Sequence, residues 1–477
     1  MQDSSLVRIL KTFNRDELKE FEKFAGTPLF VSRSKVKGLF NVLKKHYPDF
    51  DSAELGKKEI YGHLFPGEEY NDALMRKLVS ELYKAAEKYL AYVNFINDDF
   101  AYKKHLIIEA NKRSLNKIAA SNIKLAFSEL EKDPVRNGEY YYNQYLLLEE
   151  KSWLLLLDST AGIANLQESY SRYCNSFLIN ILRYYVRILN ETMIVRYKHE
   201  LYFIDKILDM VEGSRFLDVP AIAVHYHMVR ALQDTSDKTS YYNSRDLLFK
   251  QGAKLGKEIE TNLYITITNY CTRRATEGDA EFLREGFEVM KKFIKRRYHL
   301  DRGYMLRSTF DHMVMAALDL GEVHYAENFV RKYKDLLRPD ERENILNYNY
   351  ARIALKKKKP ESALEFISTI AHSYSNTKVN IRLLNLQILY ELGMIDPAFH
   401  SIDSFRHFLK SNKRLSDFIM EGGKIFLNLL DKLLKVKAGS SRVSLNTVKE
   451  VLSGKKNIMK RYWLLEKVKE LELEKEG

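Results

Sequence analysis

Two cysteines, Cys174 and Cys271, are all this chain has, and neither has a Cys or His at metal-ligand spacing. A disulfide framework is thereby excluded, and a reducing compartment fits better. Eight prolines and 20 glycines in 477 residues are few, whereas sheet-rich chains need many turn residues. Long apolar runs are lacking too. The strongest, residues 153–157, is far too short to span a bilayer. The N-terminus, MQDSSLVRIL, leads into an amphipathic pattern without a signal-peptide core. A cytoplasmic protein with no membrane span is expected.

Catalytic signatures are also missing. No HExxH and no Gly-x-Ser-x-Gly occurs. Residues 252–258 read GAKLGKE, but a phosphate-binding loop needs four residues between its glycines and Ser or Thr after the lysine. His225 and His227 fall about 200° apart on a helix, on opposite faces, with no ligand partner at i+3 or i+4. Glu149 with Glu150, and Asp98 with Asp99, are adjacent and cannot converge on one substrate atom. No catalytic residue, cofactor or metal site is expected.

What is there points to helices. The chain is 45% hydrophobic, enough for a sizeable core, and Leu, Lys, Glu, Ala, Ile and Arg fill the stretches between sparse breakers. An all-α fold follows. Residues 1–100 read as a helical N-terminal module. Asn14 and Glu17 have capping-box spacing, followed by a stripe of Leu18, Phe21 and Phe24 that Thr27-Pro28 ends. Val36, Leu39, Phe40 and Leu43 form a second stripe. After the Pro66-Gly67 turn a long helix opens near Asn71 and carries Leu74, Leu78, Leu82, Ala85, Tyr89 and Tyr92. Residues 101–240 are a middle region of long helices. Within it, 140–158 is apolar on most sides and is expected to be buried between neighbours. Residues 437–477 form a linker, 437–441, and a basic amphipathic helix around Ile458, Trp463, Leu464 and Val468, read as a cap on the last hydrophobic edge.

Residues 241–436 carry the repeat. Three helix pairs superimpose: 310–337 turning at Leu320-Gly321, 345–371 turning at Lys359-Pro360, and 381–408 turning at Leu392-Gly393. Each has an alanine early in its second helix, Ala326, Ala363 and Ala398, at spacings of 37 and 35 residues. Gly321 and Gly393 each stand five residues before that alanine, where glycine can end a helix in a left-handed cap. A fainter copy has Gly286 in the alanine slot.

Helix–turn–helix units of this length resemble the tetratricopeptide family, over about 110 residues well and about 170 loosely. The small residue before the turn is Lys358 in the second unit, and Pro339 is offset by one from the family's closing proline. The N-terminal part loosely resembles uncharacterised bacterial helical proteins, which implies no activity. The tetratricopeptide resemblance implies an α-solenoid of antiparallel hairpins. The first helix of each pair would line a concave groove for a peptide, showing Asp311 and Met315, then Tyr348, Asn349, Arg352 and Lys356, then Asn380, Gln387 and Tyr390. The family's carboxylate clamp is matched only at Asn349.

Charge leaves two readings open. Residues 1–100 hold 16 basic and 16 acidic residues, 101–240 hold 18 and 17, and 241–477 hold 43 and 31. Nearly all of the +13 net charge therefore sits in the last half. A protein or peptide partner is expected at the groove, and nucleic acid is the alternative partner. Basic runs at Lys356–Lys359, Arg296-Arg297, Lys455-Lys456 and Lys460-Arg461 allow either, or only solvation and helix-end complementation. Clusters such as Tyr140–Tyr142, Tyr184-Tyr185, Tyr241-Tyr242, and Tyr348 with Tyr350 can stack bases or simply pack. Oligomeric state is not readable.

Overall fold

A computed structural model describes residues 1, 4–27, 34–156, 158–296, 300–301, 303–370, 378–439, 444–455 and 457–476. Pro28, Leu157, Arg297, Ala371, Ser440, Ser441 and Lys456 lie outside the described residues. The fold is all-α, with 23 α-helices and one two-stranded hairpin, Leu300–Asp301 with Tyr304–Met305, among the described residues. No helix among them is long and apolar enough to cross a membrane. The chain forms two compact units, residues 1–131 with 147–166, and residues 132–146 with 167–477.

The first unit holds α1 (Ser5–Leu10), α2 (Arg15–Ala25), α3 (Ser34–Lys44), α4 (Lys57–Leu64), α5 (Asp72–Ile96), α6 (Asp99–Lys112) and nearly all of α7 (Asn116–Lys132). The capping box forms: Asn14 Oδ1 accepts from the Asp16 and Glu17 amides, and Glu17 Oε2 accepts from the Asn14 amide at 2.7 Å. Leu18, Phe21 and Phe24 then face Tyr89 of α5, whose ring meets Phe13, Phe21 and Phe24 at 5.3–5.4 Å. Burial pushes the Tyr89 phenol up to about 12. A smaller cluster joins Ile107, Ile123, Ala126 and Leu147.

Burial of 140–158 on most sides does not hold. Helix α8 (Gly138–Ser152) buries Tyr140, Tyr141, Leu147 and Leu148, then tightens into a 3₁₀ turn over Trp153–Leu155. The tighter turn changes the angular step per residue, so the later apolar residues leave the buried face. Trp153 is 64% exposed and Leu156 72%.

The second unit takes residues 132–146, which include the first part of α8, and then runs from within α9 (Ser159–Thr192) through α10 (Ile204–Val211) into helices packed in neighbouring pairs. They are α11 (Pro220–Gln233) with α12 (Lys238–Gln251), α13 (Lys257–Thr276) with α14 (Glu281–Lys295), α15 (Arg307–Asp319) with α16 (Val323–Tyr333), α17 (Arg342–Lys356) with α18 (Pro360–Ser368), and α19 (Lys378–Glu391) with α20 (Ile395–Ser411). Pro220 occupies the first turn of α11, where its missing N–H costs nothing. The unit ends with α21 (Asp417–Lys437), α22 (Leu445–Gly454) and α23 (Arg461–Glu476).

Four of the five pairs share one turn chemistry. Gly321, Lys358 and Gly393 all take left-handed backbone, with φ of +80°, +57° and +68°. In each, the next amide reaches back to a carbonyl of the ending helix: Glu322 to Ala317, Lys359 to Ala354, and Met394 to Leu389, at 2.8–3.0 Å. Gly278 (φ +108°) does the same for α13, through Asp279 N and Arg274 O at 3.0 Å. The slots are equally alike. Ala326, Ala363 and Ala398 are fully buried, and a Cβ at Gly286 would meet Cys271 Cβ at 3.1 Å. Ser244 of α12 is fully buried too, and its hydroxyl donates to Val224 O of α11 at 2.9 Å, so close approach extends one pair earlier than the sequence suggests.

Candidate functional site

Within the second unit a cavity of about 520 Å³ opens along the first helices of the pairs. Its walls come from α13, α15, α17 and α19, with parts of α14 and α21 and the segment Ile458–Trp463. None of α16, α18 and α20 contributes. The placement has a local cause: the left-handed caps at Gly321, Lys358 and Gly393 fold α16, α18 and α20 behind α15, α17 and α19, and the small residue at the slot lets the two helices approach closely.

Five of the seven residues expected in the groove line this cavity: Tyr348, Arg352, Lys356, Asn380 and Gln387. Asn349 and Tyr390 do not. Asn349 is fully buried between α15 and α17, where Nδ2 donates to Asp311 Oδ1 at 2.7 Å and to Ile345 O at 2.8 Å. Tyr390 is 2% exposed, covered edge-on by Trp463 at 5.3 Å and by the Lys437 ammonium at 4.5 Å. Met315 lines the cavity, whereas Asp311 pairs with Arg307 at 3.1 Å.

Groove residues that sequence reasoning missed belong to the C-terminal segment. Lys460, Arg461, Tyr462 and Trp463 all line the cavity. The Lys460-Arg461 pair was visible as a basic pair, but nothing local indicates where it docks. Arg461 donates Nε to Thr276 O at 3.2 Å and also reaches the carbonyls of Leu452 and Lys455. Beyond it, α23 packs against α21 and α22 and meets the end of α19. Trp463 Nε1 donates to Glu391 Oε1 at 3.1 Å. The fully buried Lys467 ammonium sits 2.6 Å from both Glu391 and Glu470, and Lys358 bridges Glu466 and Glu470 at 3.0 and 2.9 Å. Leu464, Val468 and Leu471 join a core with Phe426, Leu430 and Leu433 of α21.

Electrostatics inside the cavity are uneven. Arg352 uses Nη1 on Asp311 O and Asn349 Oδ1, at 3.1 and 3.4 Å. Burial pushes the Lys460 ammonium below the ordinary lysine range, and the Arg352 charge adds to that while Asp319 opposes it. Burial likewise lowers the His312 imidazole and raises the Tyr348 phenol. Among the described residues no group of three His, Cys, Asp or Glu could hold a metal ion. His225 is buried with Nδ1 2.6 Å from Ala221 O. Cys271, the thiol in the cavity wall, lies 3.1 Å from Tyr241 Oη, and burial pushes its pKa up, the reverse of an activated nucleophile.

The aromatic clusters mostly pack. Tyr241 is fully buried and stacks on Tyr270 at 4.6 Å, and Tyr140, Tyr141 and Tyr185 are buried, while Tyr184 is 53% exposed. Several basic residues are engaged as well: Lys357 with Glu327 at 2.7 Å, Arg296 with Glu260 at 2.9 Å, and Lys358 as above. Comparison with known protein families, with curated proteins and with solved structures finds no match.

Proposed function

We propose that this chain is a helical-repeat interaction protein, similar to tetratricopeptide arrays, that holds a segment of a protein partner in the groove lined by its first helices. The observation behind this reading is the occupant already there. The C-terminal helix α23 contributes an indole against Tyr390 on the first helix α19 and carboxylates to Lys358 in the turn that follows the first helix α17. A partner segment of that chemistry, helical, acidic and anchored by an aromatic side chain, suits the groove. Tyr348, Arg352, Lys356, Asn380 and Gln387 are the contacts assigned to it; Asn349 and Tyr390 support them from below.

The second reading, nucleic-acid binding, draws on the 43 basic against 31 acidic residues of 241–477. One experiment separates the two. Full-length protein and a Lys356→Glu/Gln387→Glu variant capture partners from host lysate, with and without nuclease. A protein retained by wild type, lost by the variant and indifferent to nuclease supports the first reading. Capture that nuclease abolishes and that falls steeply with salt replaces it with the second.

A further inference from the structure

We propose that the cavity closed by the C-terminal segment is also a binding site for a small organic oxyanion, a carboxylate or phosphate ester carried on an apolar body. The inference goes beyond a protein partner, because the space is walled by the chain itself. Its size, about 520 Å³, falls within the range of small-ligand pockets.

The polar inventory points to an anion. Cations drawn partly out of water ordinarily gain a partner, and Lys460 is half-buried. Among the described residues the Lys460 ammonium has no hydrogen-bond or ion-pair partner, although it lines the cavity and senses the Arg352 charge. Arg352 commits only Nη1 to the protein, which leaves the other side of its planar fork for a ligand. The acids of the cavity wall do not supply the missing charge. Glu391 is taken by Lys467 and Trp463, and Glu466 by Lys358. Only Asp319, exposed on α15, remains against Arg352 and Lys460. The Gln387 amide and the Tyr348 hydroxyl likewise have no partner among the described residues, although both residues are buried, at 6% and 5% exposure. Apolar surface from α15, α19 and Ile458 completes the wall. Two cations and two neutral polar groups beside apolar surface fit an amphipathic anion.

Calorimetric titration of the full-length protein with sodium benzoate, phenyl phosphate and benzamide tests this. One or both anions should bind one-to-one, and neutral benzamide at least about tenfold more weakly. Lys460→Met should weaken anion binding roughly ten- to a hundredfold, the worth of one charge-assisted hydrogen bond. Lys460→Arg should retain most of the affinity. The inference is overturned if neither anion binds, if benzamide binds as tightly, or if Lys460→Met leaves affinity unchanged. The comparison of anion with benzamide on wild type stands even if the variants fold poorly. Partner capture without anion binding would sink this inference alone, and anion binding without a captured partner would sink only the preceding reading.

Discussion

Lys467→Met should undock the C-terminal helix, and the size of the effect can be worked from its surroundings. The side chain is fully buried, and its ammonium lies 2.6 Å from Glu391 Oε1 and 2.6 Å from Glu470 Oε2. Methionine keeps most of the apolar stem but leaves two carboxylates without their shared cation. Removing one partner of a fully buried pair costs about 3–5 kcal/mol. The carboxylates here retain 18% and 42% exposure, and Lys358 still serves Glu470 at 2.9 Å. Water and Lys358 therefore offset part of the loss, which brings the expectation to about 2–3 kcal/mol. The chain has two tryptophans, Trp153 and Trp463, so a Trp153→Phe background makes Trp463 the sole indole reporter. That indole packs on Tyr390 and Phe426, at 5.3 and 6.3 Å, and reports α23 docking directly. Urea unfolding followed by its fluorescence should show a midpoint lower by about 1–2 M. Adding Glu391→Gln should recover part of the loss, since it removes one stranded charge. An unchanged midpoint, or a further fall in the double variant, would refute the reasoning.

Four further outcomes follow from single sites. His225 is fully buried and burial lowers its pKa from 6.5 to about 4, so the unfolded chain takes up a proton that the folded one refuses. The stability it supports is complete above about pH 6.5 and falls as pH drops toward 4, by roughly 3 kcal/mol. His225→Gln should flatten that part of an equilibrium pH-stability curve, and an unchanged acid slope would contradict the burial. Gly286→Leu should cost about 1–3 kcal/mol by overpacking against Cys271 Cβ, where even a Cβ sits at 3.1 Å, read as a lower melting temperature. Gly321→Ala should cost about 1–2 kcal/mol at its left-handed turn. Lys358→Gly should instead gain about 1 kcal/mol in 1 M salt, where the screened pairs to Glu466 and Glu470 no longer offset the backbone strain. Melting curves at two salt concentrations check the pair, and equal responses of Gly321→Ala and Lys358→Gly would argue against equivalent turns.

Much of the fold was legible because its signals are local. The Asn14 capping box, the Pro220 helix start, the left-handed caps at Gly321 and Gly393, and the alanine slots all depend on residues within a turn or two of each other. The tetratricopeptide resemblance, carried over from the alanine slots, pointed to Tyr348, Arg352, Lys356, Asn380 and Gln387, which line one cavity. The same reasoning put Asn349 there, yet Asn349 lies next to Tyr348 on the helix and turns about 100° away, into Asp311. Trp153 and Leu156 escaped because a 3₁₀ turn shifts the phase, and composition alone does not show such a turn. Tyr390 was placed on the right helix but is covered by Trp463, 73 residues further along the chain.

The amino-acid sequence by itself determined that this protein is helical, where most of its helices stop, and which faces are apolar. Caps, periodicity and small residues act over three to five positions, so each is complete within a short stretch. Tertiary structure alone decided where the charges go and what covers the groove. Lys358 meets Glu466 across 108 residues, and Arg461 meets Thr276 across 185. Such pairs carry no local signature, because any lysine on a helix end is adequately solvated until packing brings a carboxylate to it. The basic excess of the last half was plain from composition. That several of those cations are spent on the chain's own carboxylates, while Arg352 and Lys460 are left facing a cavity, is a property of how the C-terminal segment folds back.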